Sequence, residues 1–317
     1  MEYLEHAKDV PTRPHSCVVC GQREHAVVAR GTDYQYRTTS RTFDWCRCEA
    51  CGHFYINPLP TEAALRQIYP GDLKNYGEFD SRPGLAFRVK AFLEGRRLRQ
   101  LTRNVPEDGR LLDVGCAAGA FLDVVKRECP NIRVLEGLEI SESAAVVAKR
   151  KGYRVQIATV DEAELADEFY DVICLQQVIE HVHDPRAVLT KLRKSLKPGG
   201  LLILETPNLH SWDHWVFRHG YWEGYHIPRH FNLWTIDGMK RILREAGFAD
   251  VTYRKRIKPV HWTISVQNWA IATSKPKAVV DCFDLRSLLP LMFFGVVDVI
   301  QLGLQGKASD IQYVATR

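Results

Sequence analysis

The residues best suited to chemistry in this chain lie in four short segments, and the first is a glycine turn. An apolar run from Leu111 to Val114 places Asp113 two residues before Gly115, and Gly119 follows four positions later. The glycines permit a tight turn and close approach of the backbone to a ligand, and a helix beginning near Ala118 directs free N–H groups at the turn. The segment is typical of a nucleotide-binding turn between a strand and a helix. The alternative is an ordinary turn of a Rossmann-like sheet.

The residues around the turn indicate which nucleotide it binds. A dinucleotide fingerprint requires glycine at 115, 117 and 120, whereas the chain has Ala117 and Ala120. Asp113 disfavours a pyrophosphate and suits positive charge, such as the amino and sulfonium groups of S-adenosylmethionine. Glu139 ends the next predicted strand, where a Rossmann-type unit holds the ribose hydroxyls. We therefore predict S-adenosylmethionine as the cofactor, with an NAD-dependent dehydrogenase or epimerase as the rival enzyme.

The second segment is a pair of Cys-x-x-Cys motifs near the N-terminus, each followed directly by glycine. Four thiolates at this spacing suit tetrahedral zinc, and a segment of about 40 residues with little apolar content needs such a staple. Cys46 and His53 are alternative ligands, while a redox pair or metal-free thiols are alternative interpretations. The predicted ligands of a structural Zn²⁺ are Cys17, Cys20, Cys48 and Cys51.

The remaining two segments are rich in histidine. One follows the fourth predicted strand and contains Glu180 and His181, and the other is the aromatic stretch 209–234. Ligands of open α/β sheets bind beyond the carboxyl ends of the strands, so we expect 209–234 to form a lid over that crevice. Imidazole titrates near neutral pH and is a common general base. The candidate bases are His230, placed first, and then His181 and His226. Packing of these histidines, or a metal pair formed by His210 and His214, are the alternatives.

The elements that position these segments alternate between strand and helix. Strands are predicted at 110–114, 133–139, 153–158, 171–175 and 200–205, which indicates a mostly parallel, doubly wound sheet. A helix over 236–248 precedes strands at 251–260 and 311–315. The apolar run 288–297 is shorter than the roughly 20 residues needed to span a bilayer. We expect burial or self-association of that run in preference to contact with lipid.

Composition narrows the class of protein. The 317 residues are 45% apolar with a net charge of +5, enough for a full core in one or two domains. Arginines in the cysteine segment are scattered rather than clustered, which argues against nucleic-acid binding. The N-terminus lacks the features of a signal peptide, and the nine cysteines suit a reducing compartment. A cytoplasmic location is expected.

Taken together, the motifs resemble those of class I S-adenosylmethionine-dependent methyltransferases. They are Asp-x-Gly-x-Ala-x-Gly at 113–119, an acid after the second strand, Glu-His-Val-x-Asp-Pro at 180–185 and Lys-Pro-Gly-Gly at 197–200. Residues 228–234 resemble a Pro-x-His lid found in one subgroup. Residues 48–58 are similar to the zinc-ribbon start of many such bacterial enzymes, which often act in sugar, polysaccharide or natural-product pathways. The resemblance covers 17–258 and the last strand.

The resemblance implies an α/β fold, a Rossmann-like seven-stranded methyltransferase sheet with a small N-terminal zinc ribbon. The implied organisation is a ribbon at 1–60, a helical connector at 61–106 and a methyltransferase domain at 107–317 with the lid at 209–234. The implied cofactor-binding residues are Asp113, Gly115, Cys116, Ala117, Gly119, Glu139, Ile140, Thr159, Val160, Gln176 and Gln177.

The expected function is O-methylation of a small molecule, sugar or glycan intermediate. Carbon or nitrogen methylation by the same fold is the alternative. A zinc-ribbon nucleic-acid-binding protein with a degenerate Rossmann domain is more remote. The expected partner is the acceptor itself, without nucleic acid, together with a homo-oligomer or a peripheral membrane contact through 288–297.

Overall fold

The computed structural model describes residues 9–69, 85–285 and 287–317. Arg66 and residues 85–91 are described by their backbone only. A turn predicted from Pro-Gly-Asp at 70–72 lies outside the described residues.

The N-terminal segment is built mainly of short antiparallel strands. Strand β1 (Thr12–Arg13) pairs with β5 (Leu59–Pro60), while β2 (His25–Gly31), β3 (Phe43–Cys48) and β4 (Phe54–Asn57) form a second sheet. Helices α1 (Glu62–Ile68) and α2 (Leu85–Leu101) follow. Thr61 occupies the N-cap position of α1 but, against expectation, its side chain makes no capping hydrogen bond.

The alternation of strands and helices predicted from the sequence then begins. It comprises β6 (Gly109–Val114), α3 (Ala120–Glu128), β7 (Ile132–Glu139), α4 (Glu142–Arg150), β8 (Arg154–Ile157), β9 (Tyr170–Gln176), α5 (Pro185–Ser195) and β10 (Leu196–Pro207). Asp184 and Ser141 cap α5 and α4 through side-chain hydrogen bonds to backbone N–H groups. The predicted turn at 197–200 lies inside β10, where the register with β9 shifts between Leu196 and Leu201.

The C-terminal third completes the sheet and adds further helices. Its elements are α6 (Trp212–Phe217), β11 (Asn232–Leu233), α7 (Ile236–Glu245), β12 (Ala249–Arg256), α8 (Pro259–Ala272), α9 (Lys277–Cys282), α10 (Leu288–Gln305) and β13 (Asp310–Thr316). The strand predicted over 251–260 ends at Arg256 instead, because Pro259 starts α8 at a position where proline suits a helix.

The seven-stranded sheet predicted from the sequence is confirmed, with the order β12-β13-β10-β9-β6-β7-β8. Strands β8, β7, β6, β9 and β10 are parallel, and β13 runs antiparallel to both of its neighbours. The chain enters the sheet at β6 and winds outward first to β7 and β8, then from β9 in the other direction. The carboxyl ends of β6 and β9 therefore flank the switch point at which such sheets bind ligands.

The segment after β10 packs against the N-terminal segment. Strand β11 pairs with β4, so the small sheet has the order β11-β4-β3-β2. Buried aromatic side chains from both segments share one core, among them Trp45, Trp222, Tyr225 and Phe231. The N-terminal segment therefore packs directly on the segment that contains His226 and His230.

Helix α10 corrects the expectation of a short buried run. It extends to Gln305 and is long and apolar enough to span a membrane by length and composition, with a mean hydropathy of 1.7 over 18 residues. Only 11% of this window is buried, since its inner face consists of Phe294, Asp298 and Gln301. The acidic residue Asp298 is accommodated inside α10 because Trp262, Gln301 and Ser309 donate hydrogen bonds to its buried carboxylate.

Candidate active site

The glycine turn after β6 has the left-handed backbone that its glycines allow. The φ angles of Gly115 and Gly119 are 75° and 81°. A Cβ added to Gly115 would lie 2.7 Å from Cγ2 of Val178, so a side chain cannot be accommodated and the turn touches the segment after β9. Ala117 is also left-handed, with φ of 46°. Alanine there is strained by about 1–2 kcal/mol and does not substitute freely for glycine.

Two buried acids lie at the carboxyl ends of β6 and β7. The carboxylate of Glu139 accepts hydrogen bonds from the backbone N–H groups of Ala117 (2.9 Å) and Ser141 (2.7 Å). Burial raises the pKa of Asp113 well above its ordinary value, and the nearby Glu139 raises it further. Burial also raises the pKa of Glu139. A ligand with a cationic end and ribose hydroxyls would relieve this desolvation, so the two acids fit S-adenosylmethionine.

The other predicted cofactor residues line the same edge of the sheet with differing exposure. Ile140 is half exposed after Glu139, which leaves an apolar surface for a base, whereas Cys116 and Val160 are buried. The hydroxyl of Thr159 donates to Glu162. Gln176 ends β9. The left-handed Gln177, with φ of 56°, directs its amide away from the turn to donate to Asp310 at 3.1 Å.

The four cysteines of the two Cys-x-x-Cys motifs converge. The Sγ atoms of Cys17 and Cys51, and those of Cys20 and Cys48, are 3.5 Å apart, and all four lie within 4.8 Å of one another. Tetrahedral zinc at about 2.3 Å from each sulfur places the sulfurs about 3.8 Å apart, so the donor set fits Zn²⁺. The two alternative ligands lie outside this group, since His53 contacts the side-chain oxygen of Asn232 and Cys46 is buried in β3.

The three candidate bases come together. His181 follows β9, while His226 and His230 belong to the 209–234 segment, and the ring centroids are 4.5 Å (His181–His230), 4.9 Å (His226–His230) and 5.9 Å (His181–His226) apart. Nδ1 of His230 donates to the carbonyl of Gly224 at 2.7 Å, which leaves Nε2 as the unprotonated nitrogen. We call these residues and Glu180 the histidine cluster.

Burial sets the charge state of the histidine cluster. It lowers the pKa of His181 to about 4 and the pKa values of His226 and His230 well below the ordinary value. It raises the pKa of Glu180 to about 8. At neutral pH the imidazoles are therefore uncharged.

Sequence reasoning missed a second polar group beside this cluster. His261 of α8 lies between Glu223 and Asp310, with 2.8 Å between its Nε2 and Oδ1 of Asp310. Nζ of Lys258 is 3.2 Å from the other oxygen of Asp310. No motif marks these residues, which come from elements far apart in the chain. The only sequence feature that pointed to this group was the polar pair Ser309 and Asp310, which directly precedes the predicted strand at 311–315.

The alternative metal pair is not formed. His210 precedes α6, whereas His214 lies within the helix and its Nε2 is 3.4 Å from the hydroxyl of Tyr225. A separation of four residues does not place the two rings on one helical face here, because α6 starts between them.

Comparison with known proteins identifies the fold and the reaction type. Residues 87–253 match a family profile described as a methyltransferase domain, which is more than half of the chain. The chain belongs to this methyltransferase family. The enzyme is an S-adenosylmethionine-dependent methyltransferase.

Two kinds of relative support this assignment. The methyltransferase is 28% identical over 202 residues to a ubiquinone biosynthesis O-methyltransferase of Cereibacter sphaeroides, covering 56% of this chain and 79% of that protein. The fold matches a methyltransferase of Thermotoga maritima with a TM-score of 0.52 at 19% identity, over 80% of this chain and 99% of the other. It also matches the [4+2]-cyclase SpnF with a TM-score of 0.53 at 15% identity, over 82% and 98%. These two structures share the fold alone.

Proposed function

We propose that this methyltransferase transfers the methyl group to a hydroxyl oxygen of a small-molecule acceptor that reaches the histidine cluster. The observation that carries the proposal is the group of three uncharged imidazoles around His181, which follows Val178, the residue next to the glycine turn. An alcohol or phenol must lose a proton as it is methylated. The relatives named as ubiquinone biosynthesis O-methyltransferases support an oxygen acceptor. Carbon and nitrogen acceptors are the alternatives.

The residues of the chain have separate roles in this reaction. S-adenosylmethionine supplies a methyl carbon already activated by the sulfonium. Asp113 and Glu139 hold the cofactor, and the glycine turn and the 209–234 segment align it with the acceptor and exclude water. During methyl transfer the hydroxyl proton of the acceptor would pass to Nε2 of a cluster histidine, for which His230 is the first candidate.

We further propose that the four cysteines bind a structural Zn²⁺. Four protein ligands leave no open position for chemistry, so the metal would stabilise the N-terminal segment. Because that segment packs on the 209–234 segment, loss of zinc would weaken acceptor binding more than cofactor binding.

Calorimetric titration with S-adenosylmethionine tests the cofactor site. We expect a micromolar dissociation constant for the wild type and a loss of about 1–3 kcal/mol for Glu139→Ala, because a charged hydrogen bond to the ribose is removed. Glu107→Gln, an exposed acid before β6 and remote from the glycine turn, is the matched control. Equal binding by Glu139→Ala and the control would contradict the assignment of Glu139.

Turnover on a panel of phenols, sugars and amines tests the acceptor and the base. We expect oxygen-methylated product and a fall in kcat of about 10²–10⁴-fold in His230→Ala with unchanged cofactor affinity. His219→Ala, in the same segment but outside the cluster, should keep wild-type kcat. Unchanged turnover and pH profile in His230→Ala would exclude His230, and nitrogen or carbon methylation would overturn the proposed oxygen acceptor.

A further inference from the structure

We infer that Glu180, His181 and His230 form a binding site for a divalent transition-metal cation, separate from the four cysteines. One donor atom from each of the three residues lies within 4.8 Å of the other two. Two imidazoles and one carboxylate leave further positions open, and this donor set suits Mn²⁺, Fe²⁺, Co²⁺ or Zn²⁺. The inference concerns metal binding itself, and only the role of the cation rests on the proposed function.

The unpartnered carboxyl group of Glu180 is the observation that points to a cation. Its side chain is completely buried, yet neither oxygen has a hydrogen-bond partner within the described part of the chain. Buried polar atoms are nearly always paired, and an orphaned pair of oxygens therefore requires an explanation. A cation bonded to one oxygen supplies it.

The two histidines are oriented as metal ligands usually are. Nδ1 of His230 donates to the carbonyl of Gly224, so the lone pair of Nε2 faces Glu180, 3.9 Å from Oε1. Nδ1 of His181 lies 3.1 Å from the carbonyl of Arg229 and 2.7 Å from the hydroxyl of Tyr69. In the tautomer that donates from Nδ1 to this carbonyl, the lone pair is on Nε2, which is then the ligand atom. A hydrogen bond from the second ring nitrogen to a carbonyl is the common outer-shell arrangement of metal-bound histidine.

The spacing requires a small contraction on binding. Adjacent ligands around a cation bonded at about 2.1 Å are roughly 3 Å apart, so Nε2 of His230 and Oε1 of Glu180 must approach by about 1 Å. Nitrogen and oxygen donors also separate this site from the all-sulfur cysteine site, which selects a softer metal.

The cation would act on the acceptor of the proposed reaction. A hydroxyl bound at an open position loses its proton more readily because the cation stabilises the oxyanion. The proton then passes to His226, whose buried Nε2 has no partner among the described residues and whose ring lies beside His230. With the cation bound, Nε2 of His230 is a metal ligand, so His226 takes its place as the candidate base of the proposed reaction.

Titration with Mn²⁺, followed by the electron paramagnetic resonance of the free ion, tests the site on full-length protein already carrying zinc in the cysteine site. Mn²⁺ is used because it binds thiolates poorly. We expect one equivalent bound by the wild type and by His219→Ala, and at least a 10-fold weaker constant for Glu180→Gln and for His230→Gln. Thermal unfolding of each variant identifies any that fails to fold, and Glu180→Asp should retain part of the affinity.

The outcomes separate the metal site from the proposed function. Absence of stoichiometric Mn²⁺, Co²⁺ or additional Zn²⁺ binding, or equal binding by folded Glu180→Gln and wild type, would overturn the site. Binding without any oxygen-methylated product would support the site and contradict the proposed function. Equal turnover before and after removal of the cation would contradict its role, leaving O-methylation intact.

Discussion

His261 shows how a buried residue can be charged in a fold that neutralises other histidines. Burial alone would lower its pKa, but Glu223 and Asp310 outweigh burial and raise the pKa well above the ordinary value. For the acid Asp310 burial alone would raise the pKa, but the positive charges of Lys258 and His261 outweigh burial and lower this pKa to about 2. One end of the crevice therefore holds fixed charges while the histidine cluster is uncharged.

The charge on His261 makes stability depend on pH. Its folded pKa exceeds the unfolded value near 6.5, so its contribution is complete below that pH and declines as pH rises toward the folded pKa. We expect the unfolding free energy of the wild type to fall between pH 6.5 and 9 more steeply than that of His261→Gln, by at most about 1.4 kcal/mol per pH unit. Urea denaturation of both proteins at several pH values measures the difference.

A second comparison guards this prediction. Parallel pH dependences for His261→Gln and wild type would show that His261 is not charged in the folded protein. His219→Gln, a substitution in the 209–234 segment outside the charged group, should leave the wild-type slope unchanged.

Residues of the candidate cofactor site could be proposed from the sequence because their signal is local. Asp113, Gly115, Gly119 and Glu139 lie in short motifs joined to regular strands, and the geometry of one strand–turn–helix unit positions most of them. The surroundings of Glu180 and the partners of His261 could not be predicted, since each depends on contacts between segments tens of residues apart. The strain at Ala117 was also hidden, because only the backbone shows the left-handed conformation.

A buried ion pair links the loop between β2 and β3 to the 209–234 segment. Both terminal nitrogens of Arg229 donate to the carboxylate of Asp33, at 3.1 and 3.0 Å, and neither side chain has appreciable exposure. The guanidinium also lies over the ring of Tyr36 at 4.2 Å. Arg229 immediately precedes His230, so this pair fixes the backbone that carries His230.

Asp33→Asn tests the importance of that connection. Removing one charge leaves Arg229 buried without its counter-ion, and we expect a loss of about 3–5 kcal/mol in the unfolding free energy. In protein that remains folded, the KM for the acceptor should rise while cofactor affinity stays near wild type. Chemical denaturation and calorimetry give the two readouts.

Asp44→Asn is the matched control because Asp44 pairs with the exposed Arg30 on the same small sheet. It should leave both stability and KM unchanged, since exposed ion pairs contribute little. Equal effects of the two substitutions would contradict a special role for the Asp33–Arg229 pair.

The alternation of strands and helices could be predicted from the sequence, whereas the conformation of the 209–234 segment could not. Each β/α unit carries apolar periodicity, whereas 209–234 contains only six helical residues in α6, a single helical turn at 223–225 and a two-residue strand. Its conformation is set by aromatic packing against the N-terminal segment. The sequence predicted that the 209–234 segment lies over the crevice, but it could not show that this segment adds a strand to the small N-terminal sheet.

On the scale of the whole molecule, α10 presents an apolar surface without cover among the described residues. Leu289 is 81% exposed, and Met292, Phe293, Val296 and Leu304 are also more than half exposed. The periodicity of a uniformly apolar helix does not distinguish an inner from an outer face, which is why burial was wrongly expected. The buried hydrogen bonds of Asp298 determine which side of α10 faces inward.

Substitutions on the two faces of α10 should behave differently. Phe294→Ala, on the inner face against Trp262, should lower the unfolding free energy by about 3–5 kcal/mol. Leu289→Glu should change it by less than about 0.5 kcal/mol and reduce self-association in sedimentation experiments. Strong destabilisation by Leu289→Glu would show that the outer face is covered within the folded chain.

The pairing of β11 with β4 limits how this enzyme can be recombined with its relatives. A chimera that exchanges only the N-terminal 60 residues leaves the small sheet with a fourth strand from a different parent, and it also separates Asp33 from its own Arg229. Asp33 and Arg229 are 196 residues apart in the chain, yet the two stretches that contain them form one interchangeable part. Acceptor preference should therefore transfer between homologues only when both are exchanged together.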